Sequence, residues 1–143
     1  MPKFSARQVG SLLYALALSL AVAACSDSFG PEPITGTYTL RTVNGMPLPY
    51  LAASETIGGV TSKFEVTLGN AVLNADNSFT ASITLRQTVG STVTTTPTIT
   101  VGTYTVSGSV LTLRASDGVL TPATLAGGTI TVVTGGLTLA FSK

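Results

Sequence analysis

The sequence predicts an all-β fold, a single antiparallel up-and-down β-barrel of about eight strands, preceded by a signal peptide, and three features after the one cysteine, Cys25, predict the barrel. Apolar and polar residues alternate with period two in run after run, as they do in strands with one buried face. Pairs of Gly, Asn and Asp recur often enough to join consecutive runs as hairpins. No window beyond Cys25 has the periodicity of an amphipathic helix. An open sheet of this length leaves two edges bare, which favours closure into a barrel. A two-layer β-sandwich is the alternative, since turn spacing alone does not separate the two.

The first element, residues 1–24, reads as a signal peptide. Lys3 and Arg7 give a positive start, Leu12 to Val22 an apolar stretch, and Ala23-Ala24 a small-residue cleavage site. The apolar stretch is shorter than the ~20 residues of a spanning helix and contains Ser19. The junction Val22-Ala23-Ala24-Cys25 resembles the lipobox of bacterial lipoproteins. That resemblance implies cleavage after Ala24, a diacylglyceryl group on the Cys25 sulfur, and attachment to a membrane. With no second cysteine to pair with, Cys25 has no intramolecular disulfide to form. Ser26 rather than an acidic residue follows it, which by the same resemblance implies the outer membrane. The expected location is the cell envelope, at the periplasmic face of the outer membrane or the cell surface.

Residues 25–34 are expected to be the lipidated N-terminus and a flexible tether, because Gly30, Pro31 and Pro33 oppose regular structure. Residues 35–143 are then one domain, long enough to bury a core. Phe64, Val66 and Leu68 alternate with Lys63, Glu65 and Thr67; Phe79, Ala81, Ile83 and Leu85 with Thr80, Ser82, Thr84 and Arg86; Leu137, Leu139 and Phe141 with Thr138, Ala140 and Ser142. Leu111 with Leu113, and Ile130 with Val132, repeat the pattern. Turns are expected at Asn44-Gly45, Asp76-Asn77, Gly90-Ser91, Ser107-Gly108, Asp117-Gly118, Gly127-Gly128 and Gly135-Gly136. The Thr-rich run from Thr92 to Thr100 reads as two exposed strands meeting near Pro97, with Val93, Ile99 and Val101 on an apolar face. Gly36 and Gly102 each precede an aromatic residue by two, which suits a bulge or a close backbone approach, and the apolar phase changes across Gly102. Tyr50, with Leu48 and Leu51, is placed to plug or cover one barrel mouth.

The stretch from Gly36 to Pro49, Gly-Thr-Tyr-Thr-Leu-Arg-Thr-Val-Asn-Gly-Met-Pro-Leu-Pro, is similar to the opening of bacterial lipocalin-like lipoproteins and more loosely of META-domain lipoproteins. Leu73 to Phe79 resembles the Leu-x-x-Asp-Gly-x-aromatic hairpin of those families, with Asn77 where they have glycine. The resemblance implies a calycin-type barrel and carries no ligand. Tyr38 stands where lipocalins have Trp, and either Arg114 or Lys143 would be the basic residue that packs on it.

Chemistry is mostly excluded. The chain has no histidine, which removes Ser-His-Asp and Cys-His nucleophile systems and His-containing zinc sites. Glu65 alternates onto a polar face and Glu55, Asp76 and Asp117 fall in turn-like contexts, so no carboxylate pair is set up for general acid–base work. Asn74, Asp76 and Asn77 suit a turn better than a calcium loop, which needs more oxygen ligands. No catalytic residue, cofactor or metal is expected. After Cys25 five basic residues (Arg41, Lys63, Arg86, Arg114, Lys143) face six acidic ones, scattered, which gives no footprint for nucleic acid.

The expected role is that of a membrane-anchored envelope lipoprotein serving as a structural or interaction module. The alternative is a binding protein for a small apolar ligand or peptide. With Tyr38, Leu40, Phe64, Val66, Leu68, Phe79, Ile83, Leu85, Tyr104, Val106, Leu111, Leu113, Ile130, Val132, Leu139 and Phe141 pointing inward, the barrel is expected to be mainly filled.

Overall fold

The computed structural model describes Pro33–Lys143; the expected signal peptide, Cys25 and most of the expected tether lie outside the described residues. The described chain is all strand and turn. The strands are β1 (Gly36–Val43), β2 (Met46–Pro47), β3 (Tyr50–Ile57), β4 (Val60–Leu73), β5 (Ser78–Val89), β6 (Thr92–Ser107), β7 (Val110–Ala115), β8 (Leu120–Ala126), β9 (Thr129–Thr134) and β10 (Leu137–Ser142).

Closure is achieved by β1, which pairs with β10 through Thr39–Val43 and with β4 through Gly36–Thr39. The closed ring is therefore β1, β4, β5, β6, β7, β8, β9 and β10, each antiparallel to its neighbours. This is the eight-stranded up-and-down barrel, and the sandwich alternative falls away. Each expected turn falls at a junction of consecutive strands, Ser107-Gly108 beginning on the last residue of β6. At Asn77 the backbone is left-handed, with φ at 63°, a conformation Asn tolerates better than most residues.

Four strands outrun the ring. The first half of β4, the second half of β5 and the first half of β6 continue past it, and β3 pairs along β4 from Tyr50 to Ile57. They form a four-stranded wing that rises from one end of the barrel. Its β3–β4 hairpin turns on Gly58-Gly59, both with positive φ, a two-residue connection whose handedness matches the twist of the strands it joins.

The core is the inner face of the ring: Tyr38, Leu40, Val43, Val66, Leu73, Phe79, Tyr104, Leu111, Ala123, Ile130, Val132, Leu139 and Phe141 are buried. Of the residues expected inside, Ile83 and Leu113 are partly buried against this core and four are exposed. A bulge between Val66 and Leu68 shifts the phase of β4, so Leu68 turns outward and is 65% exposed. Gly69 takes the inward position, where a Cβ would come within 2.8 Å of Leu40. Phe64 and Leu85 keep the inward phase but stand on the wing, beyond the ring, and Val106 keeps the phase of Tyr104 near the far end of β6; all three are exposed.

The Thr-rich run also differs from expectation. β6 is one continuous strand through Pro97, and its phase does not change at Gly102. Thr100, Gly102 and Tyr104 share the inner face through their partners Ala81, Phe79 and Leu113, while Val93, Ile99 and Val101 face outward and are exposed. What changes at Gly102 is which face carries the apolar residues. The close approach expected there is present: a Cβ would lie 2.0 Å from the Arg114 carbonyl oxygen and 2.8 Å from the Phe79 ring.

Candidate functional site

The two ends of the barrel differ. At the end away from the wing, the two inward tyrosines act as stoppers. Tyr38 donates its hydroxyl to the Ile34 carbonyl at 2.6 Å and Tyr104 donates to the Asn74 carbonyl at 2.7 Å. Lys143 closes over the Tyr38 ring, its Nζ 5.3 Å from the centroid, and donates to the Pro33 carbonyl. Lys143, not Arg114, is thus the basic residue on this aromatic. Gly36 leaves it room, since a Cβ there would be 3.4 Å from the Lys143 side chain.

The Asp76 turn sits at the same end. Its carboxylate accepts from the Ser78 hydroxyl at 2.6 Å and the Ser78 N–H at 2.9 Å, and these bonds, the hydroxyl one foremost, hold its pKa below the ordinary carboxylate value. Burial, followed by the nearby Asp76 charge, pushes the Tyr104 hydroxyl up. The calcium-loop reading has no support in this geometry, because both Asp76 bonds close a turn.

Inside the ring lies a cavity of about 170 Å³, lined by apolar groups that include Ala71, Phe79, Ala81, Leu111, Ile130 and Phe141. Small side chains make it: Ala71 and Ala81 face each other across β4 and β5. Its polar lining is Thr100, Thr121 and Thr134, all placed toward the wing end by the up-and-down course of β6, β8 and β9. The tyrosine hydroxyls are spent on backbone carbonyls and take no part in it.

From the wing end the inner face continues upward as an uncovered apolar surface. Phe64 faces Gln87, flanked diagonally by Leu85 and Val89, and Val60 faces Ile57 across the β3–β4 hairpin. These apolar residues are all exposed, Ile57 most at 70%. Contiguous exposed apolar surface of this kind marks interaction sites in soluble domains. Glu55 is the one charged residue on this face: the facing pairs put Lys63, Glu65 and Arg86 on the other. On that outer face Arg86 donates to Glu65 at 2.9 Å. Tyr50, placed by the sequence to plug or cover a barrel mouth, opens β3, packs with Leu48 against the core and accepts a bond from the Asn44 side chain at 2.9 Å, whereas Leu51 is exposed.

The β3–β4 hairpin and the wing are what sequence reasoning missed. The signal was there in Gly58-Gly59 between two β-capable runs. Among the described residues no cluster of three His, Cys, Asp or Glu side chains is set to hold a metal ion. Cys25 lies outside the described residues. In comparisons with known proteins, no family model, no curated protein and no solved structure matches the chain.

Proposed function

We propose that this chain is an exported lipoprotein, anchored to the cell envelope through Cys25 and using the wing as an interaction surface. The observation that carries the reading is the uncovered inner face of the wing, where Ile57, Val60, Phe64, Leu85 and Val89 stand exposed together. Two further points support it. The described chain enters the barrel at Gly36, at the end opposite the wing, so its first described residues do not cover the wing face. The barrel itself is nearly full, as its cavity is smaller than the ~300–1,000 Å³ of ordinary ligand pockets.

The anchor and the surface are tested separately. Cells expressing the Cys25→Ser chain are expected to lose labelled palmitate incorporation and membrane pelleting; retention of both refutes the anchor. A photo-crosslinking residue at position 64 is expected to give a protein adduct in intact cells, and one at outward-facing Thr131 in the barrel is not. Equal adducts at both, or none, remove the wing from the reading.

The cavity favours a second reading, a carrier of a small apolar ligand. Apolar cavities near 150 Å³ stay dry and admit benzene or xenon, so the ligand here would be of ring size, not an acyl chain. Benzene is then expected to raise the melting temperature of the wild-type chain but not of Ala81→Leu, which fills the space.

A further inference from the structure

We infer that the open edge of β3 takes an extended segment of a partner protein as a fifth strand of the wing, a segment carrying a basic residue with an apolar residue two positions to either side. This rests on the interaction-module reading and names the kind of partner it takes. The backbone gives the first part of the argument. Thr61 faces Thr56 across the β3–β4 ladder, yet its carbonyl accepts from the Gly90 N–H at 3.0 Å on the opposite side. Facing residues of an antiparallel ladder either bond to each other or both turn their N–H and C=O away. Thr56, and by alternation Ser54, therefore direct those groups to the side of β3 where no strand lies. Such a row is a template for strand addition.

The other edge of the wing is guarded. Val101 of β6 gives its carbonyl to the Ser116 N–H at 2.9 Å, on the side away from β5, so Pro97 belongs to the same outward row. Proline has no N–H to offer there, and it interrupts the row as it does on natural edge strands. β3 has no proline between Tyr50 and Ile57.

Charge selects the occupant. Glu55 lies between Ser54 and Thr56 on the inner face and has no ion-pair or hydrogen-bond partner among the described residues, whereas Glu65 is held by Arg86. A strand bonded to Ser54 and Thr56 sets one side chain directly opposite Glu55, with Cβ atoms roughly 5 Å apart. A basic residue is favoured there and an acidic one is not. The residues two before and two after it fall beside Ala53 and Ile57, where apolar groups cover exposed apolar surface. A second copy of this chain does not supply the basic residue, because an antiparallel β3–β3 pair centred on Glu55 sets Glu55 against Glu55, and one centred on Ser54 or Thr56 sets it against Ala53 or Ile57. A lipid surface does not suit it either, since hydrocarbon offers the outward N–H and C=O groups no partners.

The probe is the capped peptide Thr-Val-Thr-Lys-Thr-Val-Thr, added to the isotope-labelled full chain. The expected result is slowed hydrogen exchange at the Ser54 and Thr56 amides. A peptide with Glu in place of Lys should bind about ten-fold more weakly, and Glu55→Lys should reverse that order of preference. Reversal is something a merely structural role for Glu55 would not produce. Equal binding of the two peptides, absence of binding, or protection confined to β6 overturns the inference. So does protection of Ser54 and Thr56 without peptide, whether it rises with protein concentration or appears only with phosphatidylglycerol–phosphatidylethanolamine vesicles. If the crosslink at position 64 forms in cells while the peptides fail, the interaction-module reading stands and only strand addition is lost.

Discussion

β5 passes through both regions of the molecule and shows how they differ. One face of it carries Phe79, Ala81, Ile83, Leu85, Gln87 and Val89 in strict alternation. The first three look across the barrel at the opposite wall; the last three stand on the wing with nothing over them. Phe79 is 4% exposed, and Phe64, on the same inner face of the neighbouring β4, is 40% exposed. Alternation decides which face a side chain takes, but burial requires a second layer, and here the ring supplies one while the wing does not. An apolar surface made by the same pattern is therefore core in one place and available for binding in the other.

The largest expected effect tests that difference directly. Phe79→Ala should destabilise the chain by about 3–5 kcal/mol, as deletion of a packed aromatic does. Phe64→Ala should cost less than about 1 kcal/mol, in the range of surface changes. Urea unfolding of the two variants measures both. Losses of similar size would mean that the wing face is covered in solution, by its own chain or by a copy of it.

Glycines sharpen the comparison at a smaller scale. In the barrel, Gly102→Ala places a methyl group 2.0 Å from the Arg114 carbonyl oxygen, so two backbones must separate, at a cost of about 1–3 kcal/mol for overpacking. On the wing, Gly59→Ala meets nothing within 4 Å and bears only the left-handed backbone penalty of about 1–2 kcal/mol. Melting curves should rank Gly102→Ala as the more damaging. The reverse order would show that β6 and β7 are loosely paired at Gly102.

Much of the barrel was legible in the sequence, because a ring of hairpins writes itself as alternation plus turn pairs, and Asn44-Gly45 or Gly127-Gly128 is unambiguous. What was not legible depends on phase and cover. The bulge at Val66–Leu68 moves Leu68 from the inside to the outside, and no residue type there announces it; Gly69 makes sense only once Leu40 is seen filling its place. The apolar residues of β6 switch faces at Gly102 while the strand keeps its phase, so Val93, Ile99 and Val101 imitate a core. The wing was missed for a different reason. Period two is the same whether or not a second layer exists, and only the ladder partners reveal that β1 joins β4 at Asn70–Leu73 and leaves Val60–Val66 to β3.

The smallest effect separates the closed end of the barrel from the wing by its response to pH. Tyr104 has a pKa raised in the folded chain by burial and by Asp76, so the folded state holds that proton more tightly than the unfolded state does. Its contribution is therefore fully present below the unfolded tyrosine value of about 10 and is lost as pH rises from there through the higher folded value. Asp76 has the opposite sign. Its lowered pKa contributes stability above the unfolded carboxylate value of about 3.9, lost as the pH falls below that. Tyr104→Phe should flatten the alkaline limb of a stability–pH profile and, through the lost bond to the Asn74 carbonyl, lower the whole profile by about 1 kcal/mol. Asp76→Asn should flatten the acid limb and, by removing the charge that helps raise Tyr104, soften the alkaline limb without abolishing it, since burial is the larger cause there. Neither should alter hydrogen exchange at Ser54 and Thr56 on the wing; a change there with either variant would mean that the two ends of the barrel are coupled and that the wing is not an independent surface.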